Sequence, residues 1–433
     1  MEWYMIAIML VIGIFIFLAM GMPVAFTLGI LALGSLYFFE GPISLKMLGQ
    51  VSYRTAASYI LTAIPLFVFM GEMLFVSGIG ANLFDMASKW LGWLPGGLAI
   101  GGIGATAIFG AMSGASTAGT ATMAPIAVPE MVQRGYKKEL ASGTICAAAS
   151  LVPIIPPSVI AIVYAVTAEQ SIGELFMACL IPGITLAIVM SLLVICWVRI
   201  FPEHAPQTVK TTWKEKFSSV PGTWPALILI FLVLVTIYTG IATATEAAAL
   251  GALGSMVIAF KSKRLTWAVL QKVLMNTMTT TCMILFIMIC SSLFTMLLAT
   301  QGITAKFAAF VVGLEANRWV LIAIIMLLYI VMGCFIDVIS VILITSPIVL
   351  PIVTNLGFDL VWFGAVLMVN FATAVITPPF ALNIYVMKKV VPELTLKEIT
   401  LGTLPFLIAD IIGLVIVIVF PQLALWLPGM MKI

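Results

Sequence analysis

Apolar segments long enough to cross a membrane fill most of this sequence. The first, at 3–20, contains the run YMIAIMLVIGIFIFLAM, and such runs recur to the end of the chain. Only 9% of the 433 residues are charged and 63% are hydrophobic, whereas a soluble domain carries about 25% charged residues. No soluble core could bury so much apolar surface, so the lipid bilayer must surround the chain. The sequence therefore predicts an all-α polytopic membrane protein.

We predict that two of these segments, 97–131 and 319–354, are re-entrant hairpins, because each is too long for one crossing and is interrupted in its middle. The remaining spanning segments are predicted at 3–20, 22–38, 57–77, 139–166, 172–198, 223–239, 243–260, 273–298, 360–387 and 400–427. This arrangement places most of the 20 lysines and arginines on one side of the membrane. By the positive-inside rule that side is cytoplasmic, and both termini face the periplasm. The basic residues left on the other side are Lys46, Arg54, Lys306, Arg318 and Lys432.

A proline pattern recurs along the chain with a shift of 222 residues. APIAVP at 124–129 matches SPIVLP at 346–351, and IPPSVIAIVY at 155–164 matches TPPFALNIYV at 377–386. Proline interrupts a helix, so 139–166 and 360–387 are predicted to be broken transmembrane helices. An odd number of predicted crossings separates the two hairpins, so the two copies have opposite orientations. Inverted repeats with paired broken helices indicate a transporter that binds its ions and substrate near the bilayer midplane.

The predicted domain organisation follows from this pattern. Residues 1–56 and 201–272 supply scaffold helices and cytoplasmic loops, while 57–200 form the first repeat and 273–433 the inverted second repeat. The alternative to binding-site breaks is that the prolines only kink helices that are packed in the protein interior.

The hairpin tips carry candidate ion ligands. GAMSGASTAGT at 110–120 offers the hydroxyls of Ser113, Ser116 and Thr117 to a cation such as sodium, although small residues also favour close helix packing. In the second tip, Asp337 is either functional or the cap of the returning helix. Thr373 and Thr377, next to the second break, supply matching oxygen donors.

Several classes of protein are disfavoured. The chain has no GxxxxGK[ST] stretch that would hold ATP, and its only histidine, His204, lies in a polar loop. An intramembrane enzyme using Ser113 or Asp337 would lack a convincing base. A channel is a further alternative, which rapid, uncoupled flux that follows the voltage would reveal. We therefore predict that the protein is not an enzyme, does not bind nucleic acid and has no organic cofactor.

Six motifs make the chain resemble the large membrane subunit (M subunit) of TRAP transporters, the tripartite ATP-independent periplasmic carriers. They are IPLFVFMGEM (64–73), MSGASTAGTATMAPIAVPEM followed by RGY (112–136), PIIPPSV (153–159), TATEAAA (243–249), MGCFIDVISVILITSPIVLP (332–351) and ITPPFALN (376–383). The resemblance implies an elevator-type ion-transporter architecture, in which a domain that holds both hairpins slides against a scaffold. It also implies sodium-coupled import, across the bacterial inner membrane, of an organic acid anion: a C4-dicarboxylate, sialic acid or other sugar acid, or a sulfonate. It also implies two partners, a periplasmic binding protein and a small four-helix membrane subunit (Q type), which we expect to be a separate chain. A carrier of similar architecture that needs no binding protein is the alternative.

The resemblance also implies where the ligands bind. The sodium sites would be formed or bordered by Ser113, Gly114, Ser116, Ser150, Pro153, Gly333, Asp337, Ser340, Thr373, Ala374 and Thr377. The substrate anion would bind between the two tips, near Ser116, Thr117, Ser158 and Asn383.

Overall fold

A computed structural model describes residues 2–206, 211–378 and 381–431, without the side chains of residues 43, 45 and 113. Lys210, Pro379 and Lys432, which enter the charge and proline patterns above, lie outside the described residues. The regular structure of the described ranges is helical, as predicted. Seven of the helical stretches are long and apolar enough to cross a membrane by length and composition, and up to eight if the bent pair at 213–238 counts as one span. They lie at 59–76, 172–200, 244–261, 267–300, 318–335, 338–355 and 396–419.

The helices of the first half of the chain are α1 (Trp3–Ala19), α2 (Val24–Glu40), α3 (Leu45–Ala56), α4 (Ala63–Val76), α5 (Ile79–Leu91), α6 (Gly97–Ser113), α7 (Ser116–Gln133), α8 (Lys138–Ala148), α9 (Val159–Thr167) and α10 (Ile172–Ile200). Those of the second half are α11 (Trp213–Ser219), α12 (Trp224–Tyr238), α13 (Ala244–Lys261), α14 (Trp267–Thr300), α15 (Ile303–Gly313), α16 (Arg318–Phe335), α17 (Val338–Asn355), α18 (Leu360–Ile376), α19 (Leu382–Val390), α20 (Leu396–Val419) and α21 (Gln422–Leu425).

The shift of 222 residues found in the prolines recurs in the helix starts. Helix α7 begins at Ser116 and α17 at Val338, and the same shift relates the starts of α8 and α18. Helices α1 and α2 correspond to α12 and α13 within two residues, so the repeat covers nearly the whole chain. The structure thus extends the repeat beyond 57–200 and 273–433, whereas the division into scaffold and moving parts stays a prediction.

Helices α10 and α20, which occupy equivalent places in the two repeats, pack against each other in antiparallel directions. Leu186 of α10 contacts the backbone at Gly413 of α20, while Trp197, further along α10, packs on Phe406, which comes earlier in α20. The ring centroids of that aromatic pair are 6.2 Å apart. Equivalent helices that run in opposite directions confirm the inverted repeat.

The second helix of each repeat packs against a helix of the other repeat. Helix α2 packs on α14, where Gly29 approaches the side chain of Cys290. The equivalent α13 packs on α4, where Gly251 approaches the side chain of Met70. A glycine at each crossing lets the backbones come close, as is usual between membrane helices. The two repeats are therefore interlocked.

The second predicted hairpin is a hairpin in the structure. Its arms, α16 and α17, turn at Ile336, and the hydroxyls of Tyr329 and Thr345 lie 2.6 Å apart across them. At the base, the ring of Trp319 packs edge-on against Phe358, with centroids 5.0 Å apart. By length and composition, each arm is long and apolar enough to cross a membrane.

The first hairpin consists of α6 and α7 and turns at Gly114, whose φ of 66° is in the left-handed region that favours glycine. Its base is closed by a hydrogen bond between Leu98 at the start of α6 and Tyr136 just beyond α7. The observed hairpins, 97–133 and 318–355, extend the predicted ones by one or two residues.

Candidate cation and substrate site

The tip of the first hairpin meets the first break. Helix α6 runs parallel to the segment that leads from α8 through the first break, because Gly102 lies against Ile145 of α8 and, further along the chain, Gly114 lies against Val159 at the start of α9. A Cβ added at Gly114 would be 3.0 Å from Val159 Cγ2. The tip therefore reaches the point where α9 begins, and the nine residues of α9 continue for about 13 Å beyond it.

The second hairpin meets the second break in the same way. The Asn370 side-chain amide of α18 donates a hydrogen bond to the Met326 carbonyl oxygen of α16 at 3.1 Å. Further along both helices, Gly333 packs so closely on Ala374 that an added Cβ would lie 2.7 Å from the Ala374 Cβ. Each tip thus ends beside a break rather than at the far end of the broken helix. This register supports the re-entrant interpretation of both hairpins.

The first break occupies residues 149–158 between α8 and α9. Ser150 is buried and its hydroxyl donates to the Ala147 carbonyl oxygen at 2.6 Å, and Pro153 is buried beside it. Ser158, predicted to contact substrate, is buried and caps α9 by accepting a hydrogen bond from the Ala161 N–H at 3.4 Å. The Ser158 hydroxyl oxygen therefore has a structural role as a helix cap, and its O–H group can still donate one hydrogen bond.

The first tip presents Ser116 and Thr117 in the first turn of α7, and both are half-buried. The Ser116 carbonyl oxygen accepts a hydrogen bond from the Thr120 hydroxyl at 3.2 Å. The backbone of Ser113 ends α6 at the same tip. The N–H groups of the first turn of α7 have no partner within the helix, as at any helix start.

Asp337 is the N-cap of α17. Its Oδ1 accepts a hydrogen bond from the Ser340 N–H at 3.0 Å, and its side chain is exposed in this structure. Of the two roles left open by the sequence, the cap is therefore observed. The hydroxyl of Ser340 itself is fully buried and has no hydrogen-bond partner among the described residues.

Unpartnered oxygens collect around the second break. Thr377 donates its hydroxyl to the Thr373 carbonyl oxygen at 2.6 Å, and Ala374 accepts the Thr377 N–H at 3.3 Å. Sequence reasoning missed Asn370, whose uncharged side chain gives no signal in a helix otherwise filled by apolar residues. Of the buried side-chain oxygens without a hydrogen-bond partner among the described residues, four belong to the second tip, to α18 or to the start of α19: Ser340 Oγ, Asn370 Oδ1, Thr373 Oγ1 and Asn383 Oδ1. Others, including those of Thr106, Thr144 and Asp410, lie elsewhere in the chain.

Asn383 joins the two breaks. It lies at the start of α19, after the second break, and its side-chain amide donates to the Cys146 carbonyl oxygen near the end of α8 at 3.3 Å. The broken helices of both repeats therefore meet at one place. No cluster of three or more His, Cys, Asp or Glu side chains that could hold a metal occurs among the described residues.

Comparison with known proteins identifies the family. The model of the family described as "Tripartite ATP-independent periplasmic transporter, DctM component" matches residues 11–423. The chain belongs to this family. It is 32% identical over 389 residues to the C4-dicarboxylate TRAP transporter large permease protein DctM of Pseudomonas aeruginosa, with 90% of each chain covered. It is 28% identical over 422 residues to the isethionate TRAP transporter permease protein DctMQ of Oleidesulfovibrio alaskensis, covering 96% of this chain and 65% of that one.

Among solved structures, the chain is similar to the YdaH transporter of Alcanivorax borkumensis, with a TM-score of 0.66, 16% sequence identity and 89% and 90% of the two chains covered. That similarity concerns the fold. The predicted resemblance to TRAP large membrane subunits is confirmed, and the protein is a membrane transport component rather than an enzyme. DctM-type proteins of this family work with a periplasmic binding protein and usually with a small membrane subunit, which is fused to the large one in some members.

Proposed function

We propose that this DctM-family protein imports an organic acid anion by sodium symport, taking it from a periplasmic binding protein. The observation that supports this most directly is the meeting of both broken helices at Asn383, beside buried oxygens that lack partners. A buried polar atom without a hydrogen bond is costly, so these oxygens are expected to contact an ion or substrate during transport.

Sodium fits the type of atom that is available. It is a hard cation that binds hydroxyl, amide and carbonyl oxygens, and the unpartnered atoms at the second break are of these kinds. One proposed site includes Ser340 and Thr373 beside Gly333, Ala374 and Thr377, with Asp337 positioning the first turn of α17. The other lies between Ser113, Gly114 and Ser116 at the first tip and Ser150 and Pro153 in the first break.

The substrate anion is proposed to bind between the two tips. Helices α7 and α17 both begin there, and the N-terminal end of a helix carries a partial positive charge that favours an anion. Ser116, Thr117, Ser158 and Asn383 lie at or beside the tips and breaks. The relatives compared above are named for C4-dicarboxylate and isethionate, a carboxylate and a sulfonate, so an organic acid of one of these kinds is the proposed substrate.

The mechanism we propose is an elevator, in which the part that carries both hairpins slides against the scaffold within the bacterial inner membrane. Both termini face the periplasm, and a separate small subunit completes the membrane part. If two sodium ions accompany one monovalent anion, one net charge enters per cycle. That charge contributes about 2.3 kcal/mol per 100 mV, which corresponds to roughly fifty-fold accumulation before the sodium gradient is counted.

Uptake by purified protein in liposomes, together with its small subunit and binding protein, tests the proposal. Labelled succinate and isethionate should accumulate only with an inward sodium gradient. Ser340→Ala and Thr373→Ala should raise the sodium concentration for half-maximal uptake. Ser346→Ala is the matched control, because the buried Ser346 hydroxyl is already bonded to the Ile342 carbonyl oxygen at 2.6 Å.

Accumulation that ignores sodium would refute the coupling. Equal uptake of free substrate without the binding protein would favour the alternative carrier, which works alone.

A further inference from the structure

Asp410 is a carboxyl group buried without a partner in the middle of α20. Its side chain has 0% exposure, and neither Oδ1 nor Oδ2 has a hydrogen-bond partner among the described residues. Other acids of the described chain have an evident structural role or reach the surface. Glu398, for example, closes a capping box with Thr395 at the start of the same helix. The proposed sodium and substrate sites do not use Asp410.

The carboxyl lies in the seam between α10 and α20, the antiparallel pair that relates the two repeats. Phe406, one turn before Asp410, packs on Trp197 of α10. Gly413, one turn after it, lies against Leu186 of the same helix. These contacts lie on the face of α20 that also carries Asp410, since residues three and four apart share a helix face. Large apolar side chains thus close the seam on both sides of the acid.

Among the described residues, no charged group on the neighbouring helices pairs with Asp410. Helix α20 packs against α8, α10, α18 and α19, and the one ion pair within the described ranges that joins it to any of them, Lys138 with Glu398 at 3.8 Å, is about 18 Å away along its axis. Lys388 donates instead to the carbonyl oxygens of Pro392 and Leu394. The titratable residues of these helices and their caps, besides Asp410 itself, are Lys137, Lys138, Glu139, Cys146, Glu174, Cys179, Cys196, Arg199, Asp359, Tyr385, Lys388, Lys389, Lys397 and Glu398.

An ionised carboxylate at this position would be shielded from bulk solvent and would have no counter-charge among the described residues, and burying such a charge is strongly unfavourable. It must therefore be neutralised. A sodium ion would need several oxygen ligands at once, whereas the contacts that bracket Asp410 are made by Phe406, Trp197 and Leu186. A proton neutralises the group with no further ligand.

We propose that Asp410 is a proton-binding site, and that the protein holds one proton there in the conformation described. The site belongs to one repeat only. The position related to it by the 222-residue shift is Ile188 of α10, which is 54% exposed. The proton site is therefore separate from the repeated tips and breaks, and the proposal does not depend on sodium coupling.

A proton bound at Asp410 makes the free energy of unfolding dependent on pH. Above the ordinary carboxyl range of about 4, the unfolded chain has released this proton and the folded chain has kept it. The folded state then binds one proton more, so raising the pH favours unfolding. The unfolding equilibrium constant gains up to tenfold per pH unit from this one group.

Infrared difference spectra of the purified full-length protein at pH 8 provide the direct test. The wild type should show the C=O stretch of a protonated carboxylic acid, and Asp410→Asn and Asp410→Leu should both lack it. Two neutral replacements are used so that one can serve if the other does not fold. Asp85→Asn, which alters an exposed acid paired with Lys89 at 2.7 Å, should keep the band.

The same proteins should differ in the pH dependence of thermal unfolding. Between pH 6 and 9 the wild type should lose stability more steeply than either Asp410 variant, and Asp85→Asn should follow the wild type. A wild-type spectrum without the acid band, or a band that persists in both Asp410 variants, would overturn the proposal. So would equal pH slopes in wild type and variants.

Discussion

The hydroxyl oxygen of Tyr136 accepts a hydrogen bond from the backbone N–H of Leu98 at 3.2 Å and so closes the first hairpin at its base. Leu98 lies in the first turn of α6, where an N–H has no partner within the helix. Burial raises the pKa of Tyr136, so its hydroxyl stays protonated. The equivalent position in the second repeat is Phe358, which closes its hairpin by ring contact with Trp319. Both hairpins are thus fastened at the same place by different means.

Tyr136→Phe should destabilise the protein by about 1–3 kcal/mol, because it leaves the Leu98 N–H buried without a partner. Thermal or denaturant unfolding of the purified protein measures this. Tyr53→Phe, at a side chain that is 77% exposed, is the control and should leave stability unchanged. If both variants unfold like the wild type, the hairpin base does not depend on this bond.

The crossing of α8 and α20 depends on two facing glycines. A Cβ added at Gly143 would collide with the backbone of Gly402, and one added at Gly402 would collide with the carbonyl oxygen of Glu139. Because these obstacles are main-chain atoms, only movement of a whole helix would relieve them. We expect Gly143→Ala and Gly402→Ala each to cost about 1–3 kcal/mol or more as overpacking, measured as a fall in the unfolding midpoint.

Gly34 provides the control for that prediction. It lies inside α2, and a Cβ added there would meet nothing within 4 Å. Gly34→Ala should therefore be neutral or stabilise the protein by about 0.5–1 kcal/mol, since alanine is the better helix former. Equal losses in all three variants would contradict the packing argument.

Much of the fold could be predicted from the positions of the prolines and of the charged residues. Pro125 and Pro347 carry the shift that the starts of α7 and α17 repeat. Glycine-rich or polar tips inside apolar runs indicated the two hairpins. The correspondence of α1 with α12 gave no signal in the sequence, since these helices share only general hydrophobicity, which lipid exposure alone requires.

The site was less predictable because its ligand atoms depend on tertiary contacts. Asp337 and Ser158 stood out as polar residues, yet the structure uses each as a helix cap. Asn370 and Asp410 are single polar residues in long, mostly apolar helices, and their burial without hydrogen-bond partners is seen only in the structure. Sequence shows which residues are polar, whereas the packing of neighbouring helices decides which polar atoms are left free.

Asp337 offers a test that separates a helix cap from a charged ligand. Asparagine caps a helix about as well as aspartate, so Asp337→Asn should keep both stability and sodium-driven uptake near wild-type levels. Asp337→Ala removes the acceptor for the Ser340 N–H and should cost about 0.5–2 kcal/mol. Uptake against sodium concentration, with unfolding midpoints, measures both effects. Loss of uptake in a stable Asp337→Asn protein would show that the negative charge itself is required.

The contact between the second tip and the second break should be needed for transport more than for folding. Gly333→Ala places a methyl group where the Cβ of Ala374 lies 2.7 Å away, and neither group can rotate aside. The tip must then shift from the break by a fraction of an ångström or more, which disturbs oxygens that have to be placed closely around an ion. We expect initial uptake to fall at least about tenfold, by analogy with the loss from misplaced binding groups. Gly313→Ala, where an added Cβ meets nothing within 4 Å, is the control.

A second substitution distinguishes this local clash from general damage. Ala374→Gly removes the methyl group that Gly333→Ala would strike, so the double variant Gly333→Ala/Ala374→Gly should recover uptake that the single variant loses. The two residues are in contact, and their effects should therefore be non-additive by about 0.5–3 kcal/mol when expressed as a coupling energy. Additive losses in the double variant would mean that Gly333→Ala acts elsewhere, for example on the helix α16 itself, and the proposed closeness of tip and break would not explain the requirement for glycine.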